Sequence, residues 1–401
     1  MRIQPLWIAA AALMASAFTA YAETSVKIGV LNDRSGLYAD LGGEGSVVAA
    51  KMAVEDFKAA EKGIAVEILS ADHQNKPDIA VNKAREWYDQ NGVDVIVDVP
   101  NSGVALAVSA LTKEKNKIFI DSGAATSDLT GPKCNANTIH WTYDTWQLAN
   151  GTGSAVVKQG GTTWFFLTAD YNFGQALERD TSAVVVANGG KVVGTVKHPL
   201  NTQDFSSFLL QAQASGAKVI GLANAGGDTI NSIKQAAEFG ITQQGQSLAG
   251  LLVFISDVHS LGLKTAQGLQ LTSTFYWDRN DQTRAWSDRF MKSTNRRPSM
   301  VQAGVYSGVL HYLKAVDALK DGKDALKVVS KMKEMPTEDA LFGKGQVRAD
   351  GRVIHDSYLF QVKKPEESKG PWDYYKLLAT TPADKAFRPM SEGGCPLVAA
   401  K

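Results

Sequence analysis

Clusters of small, hydroxyl-bearing residues follow several of the apolar runs in this chain, and they set the chemistry open to it. Asp121-Ser122-Gly123-Ala124-Ala125-Thr126-Ser127-Asp128-Leu129 follows the apolar segment 118–120. Side chains this small leave backbone N–H groups accessible, and with the Thr126 hydroxyl they make a donor set suited to a carboxylate. Pro100-Asn101-Ser102-Gly103 follows the segment 93–98, where Asn101 or Ser102 is placed to cap a helix. The stretch 32–42, which contains Leu41, follows the segment 26–31 and carries Ser-Gly and Gly-Gly turns. Helix capping alone would account for each loop; two donor loops aimed at one place say more.

A second group of loops offers different contacts. Tyr171 and Phe173 fall in Asp170-Tyr171-Asn172-Phe173-Gly174, and Asn224 opens the glycine-rich Asn224-Ala225-Gly226-Gly227-Asp228. Phe254 precedes Ile255-Ser256-Asp257, and Tyr276-Trp277 ends a later apolar run. A donor-rich wall facing an aromatic wall suits a small carboxylate with an apolar body.

Catalytic patterns are missing from the sequence. The six histidines (His73, His140, His198, His259, His311 and His355) are dispersed, with no pair at metal-ligand spacing and no cysteine cluster beside them. The segment Gly304-Val305-Tyr306-Ser307-Gly308 misses the nucleophile-elbow pattern by one position and lies in a helical stretch. Neither phosphate-binding glycine motif is present. The expectation is a protein that is not an enzyme, with no metal and no cofactor; the competing reading is an exported hydrolase on a doubly wound core.

The loops need a scaffold, and the chain supplies alternating strands and amphipathic helices. Strands are expected at 26–31, 66–70, 93–98 and 118–120, with helices at 44–58, 77–88 and 103–113 between them. After a break at 131–145 the rhythm resumes, with strands at 163–167, 192–196, 219–223 and 251–255 and helices at 146–157, 174–187, 205–214 and 229–239. Alternation of this kind implies α/β architecture with parallel sheets covered on both faces, here in two successive series. The remainder carries a strand at 269–275, helices at 284–293, 301–319 and 325–332, and closing antiparallel strands at 354–362 and 374–378. It has too few parallel strands for a third core. The economical arrangement returns the chain to both earlier domains, which creates a hinge and a cleft.

Arg2, the apolar run 6–18 and Ala20-Tyr21-Ala22 form a secretory signal peptide, expected to be cleaved after Ala22. The run is shorter than the roughly 20 residues of a spanning helix. Export places the chain in the periplasm, where the pair Cys134 and Cys395 is more readily bridged than left as two separate thiols. Lys plus Arg number 42 and Asp plus Glu 41, so the protein lacks the positive surplus of a nucleic-acid binder.

These residues carry a resemblance. Lys27-Ile28-Gly29-Val30-Leu31 with Ser35-Gly36, then Gly123-Ala124-Ala125-Thr126-Ser127-Asp128-Leu129-Thr130-Gly131, Asp170-Tyr171-Asn172-Phe173-Gly174 and Thr202-Gln203-Asp204-Phe205-Ser206 occur in an order that resembles the leucine/isoleucine/valine-binding-protein family. These are periplasmic solute receptors of ABC transporters. The resemblance implies the type I periplasmic binding fold: two Rossmann-like doubly wound lobes, joined by three crossovers, with a ligand cleft between them. It divides the chain into a signal peptide (1–22), lobe I (23–143 with 272–352), lobe II (144–271 with 353–385) and a tail (386–401) returning to lobe I.

Carried over by position, Asn101 falls where the family has a Ser bonding the ligand carboxylate, with Ser102 beside it. Ala124 and Thr126 match the loop that also holds that group. Tyr171 or Phe173 takes the place of an aromatic covering the ligand, Leu41 stands where branched-chain binders place an aromatic, and the loop at Phe254 lies near the family's acid for an ammonium. Asn224 and Tyr276 complete the candidate set. Relatives with a similar 123–131 loop look like receptors for aromatic carboxylic acids. The implied role is a monomeric importer receptor that closes on an aromatic acid or a hydrophobic amino acid and delivers it to a membrane permease, or a sensor subunit of the same fold.

Overall fold

Residues 24–398 are described by the computed structural model; the expected leader, 1–22, lies outside them. The first sheet is built from β1 (Thr24–Asn32), β2 (Ile64–Asp72), β3 (Val95–Asp98), β4 (Ile118–Asp121) and β5 (Thr138–His140). Its order is β2-β1-β3-β4-β5, all parallel. The second contains β6 (Thr163–Ala169), β7 (Lys191–His198), β8 (Val219–Ala223) and β9 (Ser247–Gly250), in the order β7-β6-β8-β9 and again parallel. Central strands such as β3, β4 and β8 are buried along their whole length, which is why they read as unbroken apolar runs. In each sheet the strand order reverses beside the first strand formed, at β1 and at β6. Ligands of open parallel sheets bind at such switch points, outside the strands' carboxyl ends.

The last third of the chain serves both lobes. β10 (Gln270–Ser273) is followed by helices Asp281–Thr294, Met300–Leu319 and Ala325–Glu334. Trp286, Phe290 and most of Met300–Leu319 join the core formed by Val30, Ala49, Ala53 and Ile120 of lobe I. β11 (Thr337–Asp339), β12 (Gly343–Val347) and β13 (Val353–Ile354) make a small antiparallel sheet. β14 (Ser357–Val362) then pairs antiparallel with β10 on one side and with β15 (Tyr375–Thr381) on the other, and Leu271, Tyr358 and Phe360 pack with Phe165, Leu167 and Leu222 of lobe II.

The chain thus passes between lobes after β5, after β10 and after β13, and the three crossings lie together. Arg352 Nη1 donates to the Tyr143 carbonyl (3.0 Å) and stands 3.5 Å from Asp144, while His355 Nε2 lies 3.3 Å from the Trp141 carbonyl. Helix Met300–Leu319 presses on the first crossing. A methyl on Gly304 would meet Thr142 Oγ1 at 1.9 Å, so only glycine fits there. The tail returns to lobe I, where Cys395 is disulfide-bonded to Cys134 with Cα atoms 5.6 Å apart.

Three details differ from the sequence reading. The segment 251–255 is not a strand: the ladder ends at Gly250, and Phe254 is the N-cap of helix Ile255–Leu261, its N–H bonded to the Asp257 carboxylate (2.9 Å). The break at 131–145 contains β5, too short at three residues to show periodicity. The boundary expected between 271 and 272 falls inside β10, all of which pairs with β14.

Candidate functional site

Both sheets direct their carboxyl ends at one cleft. From lobe I come Tyr38 and Leu41 after β1, Pro100 after β3, Gly123 and Ala125 after β4, and Tyr143 after β5. From lobe II come Tyr171 and Phe173 after β6, Ala225 after β8, and Leu252 and Phe254 after β9. The cavity left between these residues is about 10 Å³, room for about one water, so the lobes must part to admit a ligand.

Local backbone geometry places these groups. Asp33 accepts from the Gly36 and Tyr38 N–H groups (2.8 Å each) and folds the loop after β1 so that Tyr38 reaches the cleft. Asp98 (φ 84°) and Val99 (φ 60°) end β3 in conformations that side chains rarely adopt, and they turn Pro100 into the wall. Strain of that kind concentrates at binding sites. Gly123 packs against this kink, with a methyl there falling 2.6 Å from Pro100 Cα.

The polar side-chain atoms of the lining are three phenolic hydroxyls. Those of Tyr38 and Tyr171 are hydrogen-bonded to each other across the cleft, and the Tyr143 hydroxyl donates to the Gly123 carbonyl (2.6 Å). Burial raises all three above the ordinary tyrosine range, so they are neutral hydrogen-bond donors. None of the lining residues is charged. Charge lies just behind them: burial pushes Asp228 and Asp257 up to about 7. Among the described residues no group of three or more His, Cys, Asp or Glu is placed to hold a metal ion.

Of the residues singled out from sequence, Leu41, Tyr171, Phe173 and Phe254 meet in the lining. Asn101, Ala124 and Thr126 are buried one position from lining residues and Ser102 two, and all four are bonded within lobe I. Asn101 Oδ1 accepts from Gly103 N (3.0 Å) and Val104 N (3.2 Å), and Ser102 Oγ accepts from Thr126 N (3.2 Å). Ala124 N donates to Asp121 Oδ1 (2.9 Å), and Thr126 Oγ1 accepts from Asp128 N (3.4 Å). Asn224 is held by His198 (3.2 Å) and Thr229 (2.7 Å), leaving its neighbour Ala225 in the wall. Tyr276 lies in a separate crevice beside Ser299 and Met300, its hydroxyl bonded to the Trp372 carbonyl (3.3 Å). Sequence reading passed over Tyr38 and Tyr143. Tyr38 sits inside a loop recognised for its glycines, and Tyr143 follows the strand that went unseen.

The chain resembles known proteins over nearly its whole length. Residues 25–371 match the periplasmic binding protein family. A curated relative, the Leu/Ile/Val-binding protein homolog 6 of Brucella melitensis, is 27% identical over 364 residues, covering 88% of this chain and 91% of its own length. A periplasmic binding protein of Burkholderia mallei superposes with a TM-score of 0.91 at 55% identity, over 93% of this chain and 99% of the other. A branched-chain amino acid ABC transporter periplasmic ligand-binding protein of Burkholderia xenovorans gives 0.83 at 42% identity, with the same two coverages. With two parallel-sheet lobes meeting at a cleft, and this match over residues 25–371, the chain belongs to the periplasmic binding protein family, with the type I fold.

Proposed function

We propose that this chain is the periplasmic receptor of an ABC importer, which captures a small carboxylate with a flat apolar body by closing its lobes and presents it unchanged to a membrane permease. The observation that carries the reading is the cleft, lined by apolar and aromatic groups from both lobes, with neutral phenols as its polar side chains. Leu41, Phe173 and Phe254 pack on the apolar body, and the phenols of Tyr38 and Tyr171 exchange their mutual bond for its oxygens, while Tyr143 keeps its bond to Gly123. Asn101, Ser102, Ala124 and Thr126 hold the wall in shape. Ligand selects the closed state because only there do both lobes touch it.

An aromatic acid suits this lining better than an amino acid, because no lining carboxylate is present to meet an ammonium group. The relatives named for branched-chain amino acids support the competing choice, leucine or a similar residue.

A thermal-shift panel of benzoate, 4-hydroxybenzoate, phenylacetate, leucine, isoleucine and valine tests the reading. A ligand at 100 times its Kd stabilises the fold by about 2.7 kcal/mol, so the acids are expected to raise Tm by several degrees. No shift with any of the six overturns the proposal, and a shift with the amino acids alone overturns the choice of acid.

A further inference from the structure

Four buried side chains stand side by side across the cleft end of the first sheet. Asp98 ends β3, its register partner Asp121 ends β4, His140 partners Asp121 at the end of β5, and Arg352 bridges to His140. The two carboxyls lie directly beneath the cleft wall: a methyl on Gly123, a lining residue, would be 2.7 Å from Asp98 Oδ1.

Their surroundings supply little positive charge. From β1, Asn32 Nδ2 donates to Asp98 Oδ2 (2.9 Å), and Ser46 lies beside the same carboxyl from helix Gly43–Phe57. Asp121 Oδ1 accepts from Gly123 N (3.1 Å) and Ala124 N (2.9 Å). His140 Nε2 donates to the Ala124 carbonyl (2.8 Å), 3.3 Å from Asp121 Oδ2, and burial holds this imidazole well below its usual range, hence neutral. Tyr143 faces the pair with a neutral phenol. Arg352 is the cation of the row; its Nη1 is turned to Asp144 and the Tyr143 carbonyl, with Arg348 and Asp350 behind it, and its pull on Asp121 is outweighed by that carboxyl's burial. Asp98 Oδ1 and Asp121 Oδ2 have no hydrogen-bond partner at all.

Two neighbouring carboxyls in so dry a site do not both ionise, and a third negative charge in the cleft opposes ionisation further. Building on the proposed capture of a carboxylate, we propose that the Asp98–Asp121 pair is a proton-binding site: the ligand anion enters together with one proton drawn from solvent, which the pair holds. The proton neutralises the charge that no basic lining residue meets. Burial already pushes Asp98 up to about 6 and Asp121 well above the carboxylate range, and the anion raises the pair again. Below about pH 6 the pair is protonated with or without ligand, so affinity is level there. Above that it falls as pH rises, because the free receptor has lost a proton that the complex must recover.

The test is calorimetry of the purified protein with benzoate, 4-hydroxybenzoate and leucine, between pH 6 and 8 in buffers of differing ionisation enthalpy. The slope of heat against that enthalpy counts protons. Uptake of up to one proton per ligand is expected, with Kd rising by up to about tenfold per pH unit above pH 6. Binding with no proton exchange throughout that range overturns the proton site and leaves the receptor reading standing; binding by none of the three removes both. In Asp98→Asn and Asp121→Asn, checked for folding by melting, uptake and its pH dependence are expected to disappear. Full uptake in both overturns the proposal; if neither variant folds, uptake kept in both Asp228→Asn and Asp257→Asn upholds the pair, and uptake lost in either overturns it.

Discussion

The phenolic oxygen of Tyr38, carried by the loop after β1, is hydrogen-bonded to that of Tyr171, carried by the loop after β6, so one bond ties the two lobes together over the cleft. Such a bond contributes about 0.5–1.5 kcal/mol, enough to bias a receptor poised between open and closed. Tyr171→Phe removes it without changing the packing of the ring. The variant is expected to show a larger radius of gyration without ligand by small-angle scattering, and an affinity about 2–10-fold weaker. Unchanged values in both would show the bond to be idle.

A second approach between the lobes depends on having no side chain. Gly226 (φ 58°) follows β8, and a methyl there would stand 2.5 Å from the Leu37 carbonyl of lobe I. Its neighbour Gly227 donates to that same carbonyl at 3.4 Å. Gly226→Ala therefore wedges the cleft open and adds backbone strain of about 1–3 kcal/mol. Binding weaker by tenfold or more is expected by calorimetry, with the second sheet still folded by circular dichroism. Wild-type affinity would mean that closure does not bring these loops so near.

Asp257 gives the fold a pH dependence of known sign. Burial pushes its carboxyl up to about 7 even though it accepts the Phe254 N–H. The folded protein keeps a proton that the unfolded chain releases near pH 4. That proton contributes stability fully present below about pH 4 and lost as pH rises through about 7. Asp257→Asn keeps an oxygen acceptor for Phe254 and titrates nothing. Its Tm relative to wild type is expected to climb between pH 4 and 7 and then level off, reflecting a few kcal/mol. A difference that stays constant with pH would show this carboxyl to be ordinary in the fold.

Much of this architecture is legible in the residues because parallel strands covered on both faces read as continuous apolar runs, and the helices between them keep a 3.6-residue period. Tyr171 and Phe173 could be placed at the cleft for that reason, since they follow such a run, whereas Leu41 entered through the family resemblance. What escaped follows from short range. β5 is three residues long, so Tyr143 was stranded in an apparent break. Val253 and Phe254 look like strand residues until the Asp257 carboxylate is seen capping the helix. The donor loop at Gly123 and Ala124 promised free N–H groups, yet both donate to Asp121 Oδ1. That acceptor is only two or three positions away in sequence, but its place beside Asp98 is set by pairing with the neighbouring strand, which no local pattern reveals.

The bridge from Cys134 to Cys395 has a consequence for how the molecule is made. Its two thiols lie 261 positions apart, so the whole second sheet is made before the covalent tie can exist. Every strand of both parallel sheets is therefore available to pair before oxidation can join the tail to lobe I, so the bridge is placed as a late fastening, the way a knot is tied once the parcel is wrapped.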